Sequence, residues 1–224
     1  ERRKLRTRPC AEIADATIRA VQAESLYPAR NAHELFDRLT QFAVVPENQA
    51  MQLGFASGLS ALIDEGKAVR MYIAGGTLVS EAGSCFLASA DKIELVEAAY
   101  TQPAEGDEVA GQRRYSAIEN IILSHLELLG PMTVAAIAAR LGFAESTVAL
   151  AVLALENSGS VFQIERAGDK FFIERAFYQR LLHYNRRPRD GFKRLSAPEY
   201  LAFLSVWQHA AGEPLEGPES LRKV

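Results

Sequence analysis

The sequence predicts a mainly α-helical protein with small β-hairpins: tandem winged-helix (helix-turn-helix) modules followed by a C-terminal helical segment. Three observations predict it. First, "LIDEGKAVRMYIAGGTLVSEAGSCFLA" and "LENSGSVFQIERAGDKFFIE" each run from an apolar helix end, through Gly66 or Gly159, into a β-rich stretch with a glycine turn. The two glycines lie 93 residues apart, where a helix end asks for positive φ, and Gly75-Gly76 and Gly168-Asp169 then supply hairpin turns. Second, the stretch before the later hairpin carries helix, turn and helix signals at the right lengths. Third, the composition, 48% hydrophobic and 24% charged over 224 residues, is that of a globular chain with enough length for two or three small domains.

Residues 1–27 read as a basic helical lead-in, 28–100 as a degenerate first winged-helix module, 101–113 as a linker, 114–175 as a second winged-helix module, and 176–224 as a basic helical segment anchored by Trp207. In the first module a helix is expected over 32–39, a broken middle through "FAVVPENQA", a third helix over 55–65, then the hairpin. The linker "TQPAEGDEVAGQ" is polar, contains Gly and Pro, and lacks periodicity. In the second module, Ile118, Ile121, Ile122, Leu126 and Leu129 recur at helical spacing over 115–129 and stop at Gly130-Pro131. Thr133 caps a short helix over 134–141, Gly142 turns the chain, and a third helix follows over about 144–157. Ala138, Gly142 and Val148 stand where a helix-turn-helix needs a small residue, a residue tolerant of positive φ and a β-branched core anchor. Trp207, flanked by Leu201, Phe203, Leu204 and Val206, reads as a core residue.

Charge decides what the third helices can do. Neither "AESTVALAVLALEN" nor "FASGLSALIDE" contains Lys or Arg, although base readout is mostly Arg, Lys, Asn and Gln work and phosphate neutralisation supplies most non-specific affinity. Residues 28–100 carry 5 basic against 9 acidic residues and 114–175 carry 5 against 7, whereas 1–8 carry 5 against 1 and 176–194 carry 6 against 1. The basic charge thus lies outside the module bodies, which makes Arg186, Arg187, Arg189, Lys193 and Arg194 the main candidates for DNA contact. Arg140 at a helix end, with Arg166 and Lys170 on the hairpin, are further candidates for phosphate contact. Val148, Leu150, Val152, Leu153 and Leu155 cannot all face one core, so part of that helix is expected to bury against another helix or subunit.

Other chemistries find little support. The helix start "HELFD" has Asp37 where a zinc-protease helix has its second histidine, and "GFASG" holds its serine in the fourth place rather than the third. No Cys/His set has metal spacing, and no catalytic, cofactor or metal residue is expected. Asp190, in a basic loop, reads as the start of an Asp-Gly turn. Cys10 and Cys85, far apart in a Cys-poor chain, read as unpaired thiols of a reducing compartment; with no membrane span or signal pattern, a cytoplasmic location is expected. The missing initiator methionine reads as a sign of a piece of something longer.

The end of the chain resembles a family. "FFIERAFYQRLLHYNRR" leading into "RLSAPEYLAFLSVWQHAAGEPLEGPESLRKV" is similar to the C-terminal region of the Lhr-type (large helicase-related) superfamily 2 DNA helicases, through Arg180-Leu181-Leu182, the 197–203 helix, Val206-Trp207-Gln208-His209, and Gly212, Leu215, Gly217 and Leu221. "GKAVRMYIAGG" and "CFLASAD" also look like that family's first-module hairpin and exit. The resemblance implies a non-catalytic accessory region of winged-helix modules behind an ATP-driven DNA-repair motor. Its partners would be DNA, without sequence preference, the helicase core of the same chain, and further copies of itself. ATP and Mg would belong to the motor; Gly66-Lys67 is followed by Ala68 and is no phosphate loop. A pure protein-interaction scaffold and a tandem winged-helix transcription regulator are the alternatives.

Overall fold

The computed structural model describes residues 14–26, 29–50, 58–80, 83–186 and 195–207. It is mainly helical with two small antiparallel sheets. Helix α1 spans Asp15–Ser25 and α2 spans Ala32–Phe42. The start of α2 is sealed reciprocally: Glu34 N donates to the Asn31 side chain at 2.9 Å, and Arg30 N donates to the Glu34 carboxylate at 2.8 Å. Strand β1 (Val44–Pro46), α3 (Glu47–Ala50) and α4 (Leu59–Asp64) follow, then β2 (Ala68–Ala74), β3 (Thr77–Val79) and β4 (Ser84–Ser89). The sheet order is β1-β4-β2-β3, with Val45 opposite Leu87 and Met71 opposite Phe86. As expected, Gly75 and Gly76 make the β2–β3 turn, with φ of 58° and 76°.

A second repeat of similar order, without a strand between its first two helices, begins after α5 (Ile93–Tyr100). It comprises α6 (Glu108–Leu129), α7 (Val134–Leu141), α8 (Glu145–Ser158) and the hairpin β5 (Val161–Arg166) with β6 (Asp169–Glu174). Thr133 caps α7 by accepting from Ala136 N at 3.1 Å, and Gly142 turns the chain into α8 at φ 73°. An isolated antiparallel bridge, Met132 to Phe172, occupies the place that β1 takes in the first repeat. The hairpin loop is Ala167-Gly168, with φ of 52° and 89°, rather than Gly168-Asp169; Asp169 already pairs with Arg166 in β6. Gly130 admits no side chain: besides its φ of 80°, an added Cβ would lie 2.6 Å from the Phe177 ring.

The expected division between the two repeats is not what the packing produces. Asp107 caps α6 by accepting from Ala110 N at 2.9 Å, so the helix starts at Glu108, inside the stretch read as linker. One continuous core joins Val44, Ile73, Phe86, Ala88 and Val96 of the first half to Ile121, Leu126, Leu141, Val152 and Val161 of the second. Buried Tyr100 donates from its hydroxyl to Leu141 O at 2.9 Å and stacks on Phe143 with ring centroids 4.5 Å apart. The two repeats therefore belong to one compact unit that runs to Asn185.

Helix α1 is likewise no detached lead-in. Its Ile18 and Val21 pack with Ile164, Ile173, Phe177 and Leu181, and α9 (Arg175–Arg186) closes this cluster. Gln22 Nε2 donates to Leu129 O, and Arg180 Nη1 donates to Ser25 Oγ at 2.8 Å. The second compact unit begins at Arg186 and contains α10 (Ala197–Trp207), whose first turn is capped by Ser196 and Glu199. Taken by itself, α10 buries none of its residues, and Trp207, read from the sequence as a core anchor, is 68% exposed and touches Phe203 with ring centroids 5.6 Å apart. An apolar run signals burial, but it does not say against what.

If Tyr100 joins the repeats as described, Tyr100→Phe leaves Leu141 O without its buried donor and lowers stability by about 1–3 kcal/mol. Urea unfolding should stay a single transition with an unchanged slope and a lower midpoint. Two transitions in the parent chain would mean that the repeats fold separately.

Candidate nucleic-acid interface

Of the expected DNA contacts, Arg140, Arg166, Lys170 and Arg186 lie among the described residues, and two of them, Arg140 and Arg166, are engaged within the fold. Lys170 sits exposed at the start of β6. Four residues before it on the hairpin, Arg166 is committed elsewhere: it pairs with Asp15 of α1, keeps only 24% of its side chain exposed, and lies 6.0 Å from the centroid of the Phe171 ring. The hydrogen bond and charge of Arg166 hold the Asp15 carboxyl below its usual range. Arg186 ends α9, while Arg187, Arg189, Lys193 and Arg194, like residues 1–8, lie outside the described residues. One exposed cation that the sequence reading left without a role is Arg19, one turn along α1 from Asp15 and adding its charge there. Its i, i+4 spacing from Asp15 was the available signal.

Arg140 is the clear correction. It stands in the last turn of α7, where a surface cation would reach phosphate, but its Nε donates to His125 Nδ1 at 3.2 Å. Burial draws its pKa down to about 10 while leaving it charged at neutral pH, and its Nη2 is buried without a hydrogen-bond partner. His125 is itself fully buried on α6, beside the Phe42 ring at 5.0 Å, with Nε2 2.9 Å from Val44 O. Because Nδ1 accepts from Arg140, Nε2 must carry the proton and donate to Val44 O. This neutral imidazole thus ties β1 to α6 and α7. Burial, and secondarily the Arg140 charge, pushes its pKa down to about 3.

The third helices present little that could bind a phosphate. On α8, Val148, Ala151, Val152 and Leu155 face inward, while Leu150 is 56% and Leu153 53% exposed. Glu145, Ser146, Ala149, Glu156 and Asn157 share the exposed side. On α4, Leu62 is buried, and Ser60 and Asp64 are exposed. As expected, Val148, Leu150, Val152, Leu153 and Leu155 do not all face one core, since Leu150 and Leu153 point outward.

Among the described residues, no three His, Cys, Asp or Glu side chains gather as metal ligands. Burial, reinforced by the nearby Glu47 carboxylate, raises the Cys85 thiol to about 11, so at neutral pH it is protonated and a poor nucleophile.

The histidine tie has a pH signature. An ordinary histidine takes up a proton near 6.5, whereas His125 in the folded chain does so only near 3. Between those values the unfolded state binds more protons, so stability is complete above 6.5 and falls with pH at about 1.4 kcal/mol per unit. Over pH 6.5–4.5, above the range of the lowered Asp15, Glu47 and Glu65 carboxyls, His125→Gln should flatten this decline, as read from denaturant midpoints. Parallel pH profiles for the variant and the parent would contradict the tie. Comparison of the chain with models of protein families, with curated proteins and with solved structures finds no match.

Proposed function

We propose that this chain is a non-catalytic accessory module of a bacterial DNA-repair helicase, built of two fused winged-helix modules, with the ATP- and Mg-dependent motor located elsewhere. The order of three helices followed by an antiparallel sheet, present in both halves, supports the winged-helix reading, as do the β1-β4-β2 pairing and the isolated Met132–Phe172 bridge in the corresponding place. The assignment to a helicase rests on the resemblance of the 171–224 segment. DNA is held through the basic segments at 1–8 and 186–194, without sequence preference, and the module bodies serve docking or self-assembly.

The observation that carries this division of labour is the exposed face of α8. A helix that read bases would offer mostly Arg, Lys, Asn or Gln to the groove; α8 offers two half-exposed leucines, two glutamates and, in its last turn, a single Asn157, with no cation. The inward engagement of Arg140 and the pairing of Arg166 with Asp15 favour one alternative, a pure protein-interaction scaffold, because they remove two of the cations that a DNA-binding module would use.

A salt-dependent DNA titration separates these readings. Reversing Arg186, Arg187, Arg189, Lys193 and Arg194 to Glu should abolish duplex binding irrespective of sequence, and partial reversals should flatten the logarithmic salt slope by about 0.9 per lost phosphate contact. Substitution of Glu145, Ser146 and Thr147 should leave DNA affinity unchanged. No DNA binding by the parent chain would favour the scaffold. Loss of sequence-specific binding on changing α8, with the basic segment dispensable, would make α8 a reading helix and overturn the proposal.

A further inference from the structure

The exposed face of α8 also specifies what it can dock. Leu150 and Leu153 form an apolar stripe on a helix whose inner side is already filled by Val148, Ala151, Val152 and Leu155. Exposed Glu145 lies at one end of the stripe and exposed Glu156 at the other, and no Lys or Arg stands on the helix. Ala149 between them keeps the surface low enough for another helix to approach closely. Together α7 and α8 are apolar enough to resemble a broken membrane span, yet they meet at 118°.

This arrangement discriminates among partners. DNA is repelled by Glu145 and Glu156, which would face phosphates with nothing to neutralise them. An anionic bilayer is repelled in the same way, since helices that lie on membranes carry Lys and Arg along their polar face. A second copy of α8 is also poorly matched: an antiparallel pair centred on the leucine stripe brings Glu145 of each helix beside the Glu156 end of the other, and a parallel pair sets like residues side by side. The complementary surface is a helix with a leucine-like stripe and basic residues at its flanks.

We infer that the α8 face is a docking site for an amphipathic helix of another protein, apolar along one stripe and flanked by Lys or Arg. This rests on the reading of α8 as a docking rather than a DNA-reading helix. Affinity comes from covering Leu150 and Leu153, and the two glutamates select for charge and orientation.

The probe is a synthetic helical peptide with leucines at i, i+3, i+7 and i+10 flanked by lysines, compared with its twin carrying glutamates in place of the lysines. Calorimetric titration into the intact chain should show binding of the lysine peptide only. Leu150→Ser with Leu153→Ser should weaken it at least tenfold, with melting checked because both side chains are more than half exposed and contribute little to the core. Glu145→Lys with Glu156→Lys, which leaves the apolar stripe intact, should reverse the preference toward the glutamate peptide. Equal binding of both peptides, or binding indifferent to all four residues, overturns the inference. So does a parent chain that is dimeric in light scattering and becomes monomeric in the leucine variant, or one that sediments with phosphatidylserine vesicles through those leucines. A loss of duplex DNA affinity in the leucine variant would instead sink the underlying reading of α8, whereas failure to bind peptide with DNA affinity unchanged would sink only the identity of the partner.

Discussion

A buried neutral imidazole holds this fold together. His125 on α6 donates to Val44 O of β1 and accepts from Arg140 of α7, so three elements drawn from both repeats meet on one ring. A buried polar group is tolerated only when its partners are in place, which makes the mutual placement of the repeats a matter of hydrogen-bond geometry as well as of apolar area. Tyr100 adds a second tie of the same kind across the same core, to Leu141 O. The chain between Tyr100 and Glu108 is then an exposed crossing within one compact body.

This joining has a consequence for function. The turn between α7 and α8 is covered by the hairpin of the first repeat: Gly142 and Phe143 pack near Gly76, Ile73 and Phe86. The guanidinium that could have met a phosphate at the end of α7 is drawn into the histidine tie. What remains outside is the stretch of α8 bearing Leu150 and Leu153 between two glutamates. The interactions that unite the repeats thus cover the α7–α8 turn and draw Arg140 inward, while Leu150 and Leu153 stay outside.

Much of this was legible in the sequence where the signal is local. The bounds of α7 follow from the Thr133 cap and the turn at Gly142, and the surplus of apolar residues on α8 correctly announces that they cannot all face one core. What was not legible depends on contacts distant in sequence. Glu108–Gln112 has no apolar periodicity because that end of α6 projects from the core, so it reads as linker although Asp107 caps it as helix. Nothing near Arg140 or His125 in sequence announces that they meet 15 residues apart or that Val44 completes the set. The pairing of α1 with β5, β6 and α9 spans about two thirds of the chain, and residues 1–27 read as an independent lead-in only because their partners lie so far away. Trp207 shows the opposite limit: its apolar neighbours promise a core that α10, considered alone, does not possess.

Native-state hydrogen exchange tests the union of the two repeats most directly, because it measures the opening free energy of each segment separately. The account predicts that the slowest amides of β1 and β4 and those of α6 and α8 exchange through one shared opening, with the same free energy and the same denaturant dependence. Exchange of the β1–β4 sheet through a distinct opening of lower energy, with α6, α7 and α8 still protected, would show that the repeats are separate bodies and that the histidine tie does not join them.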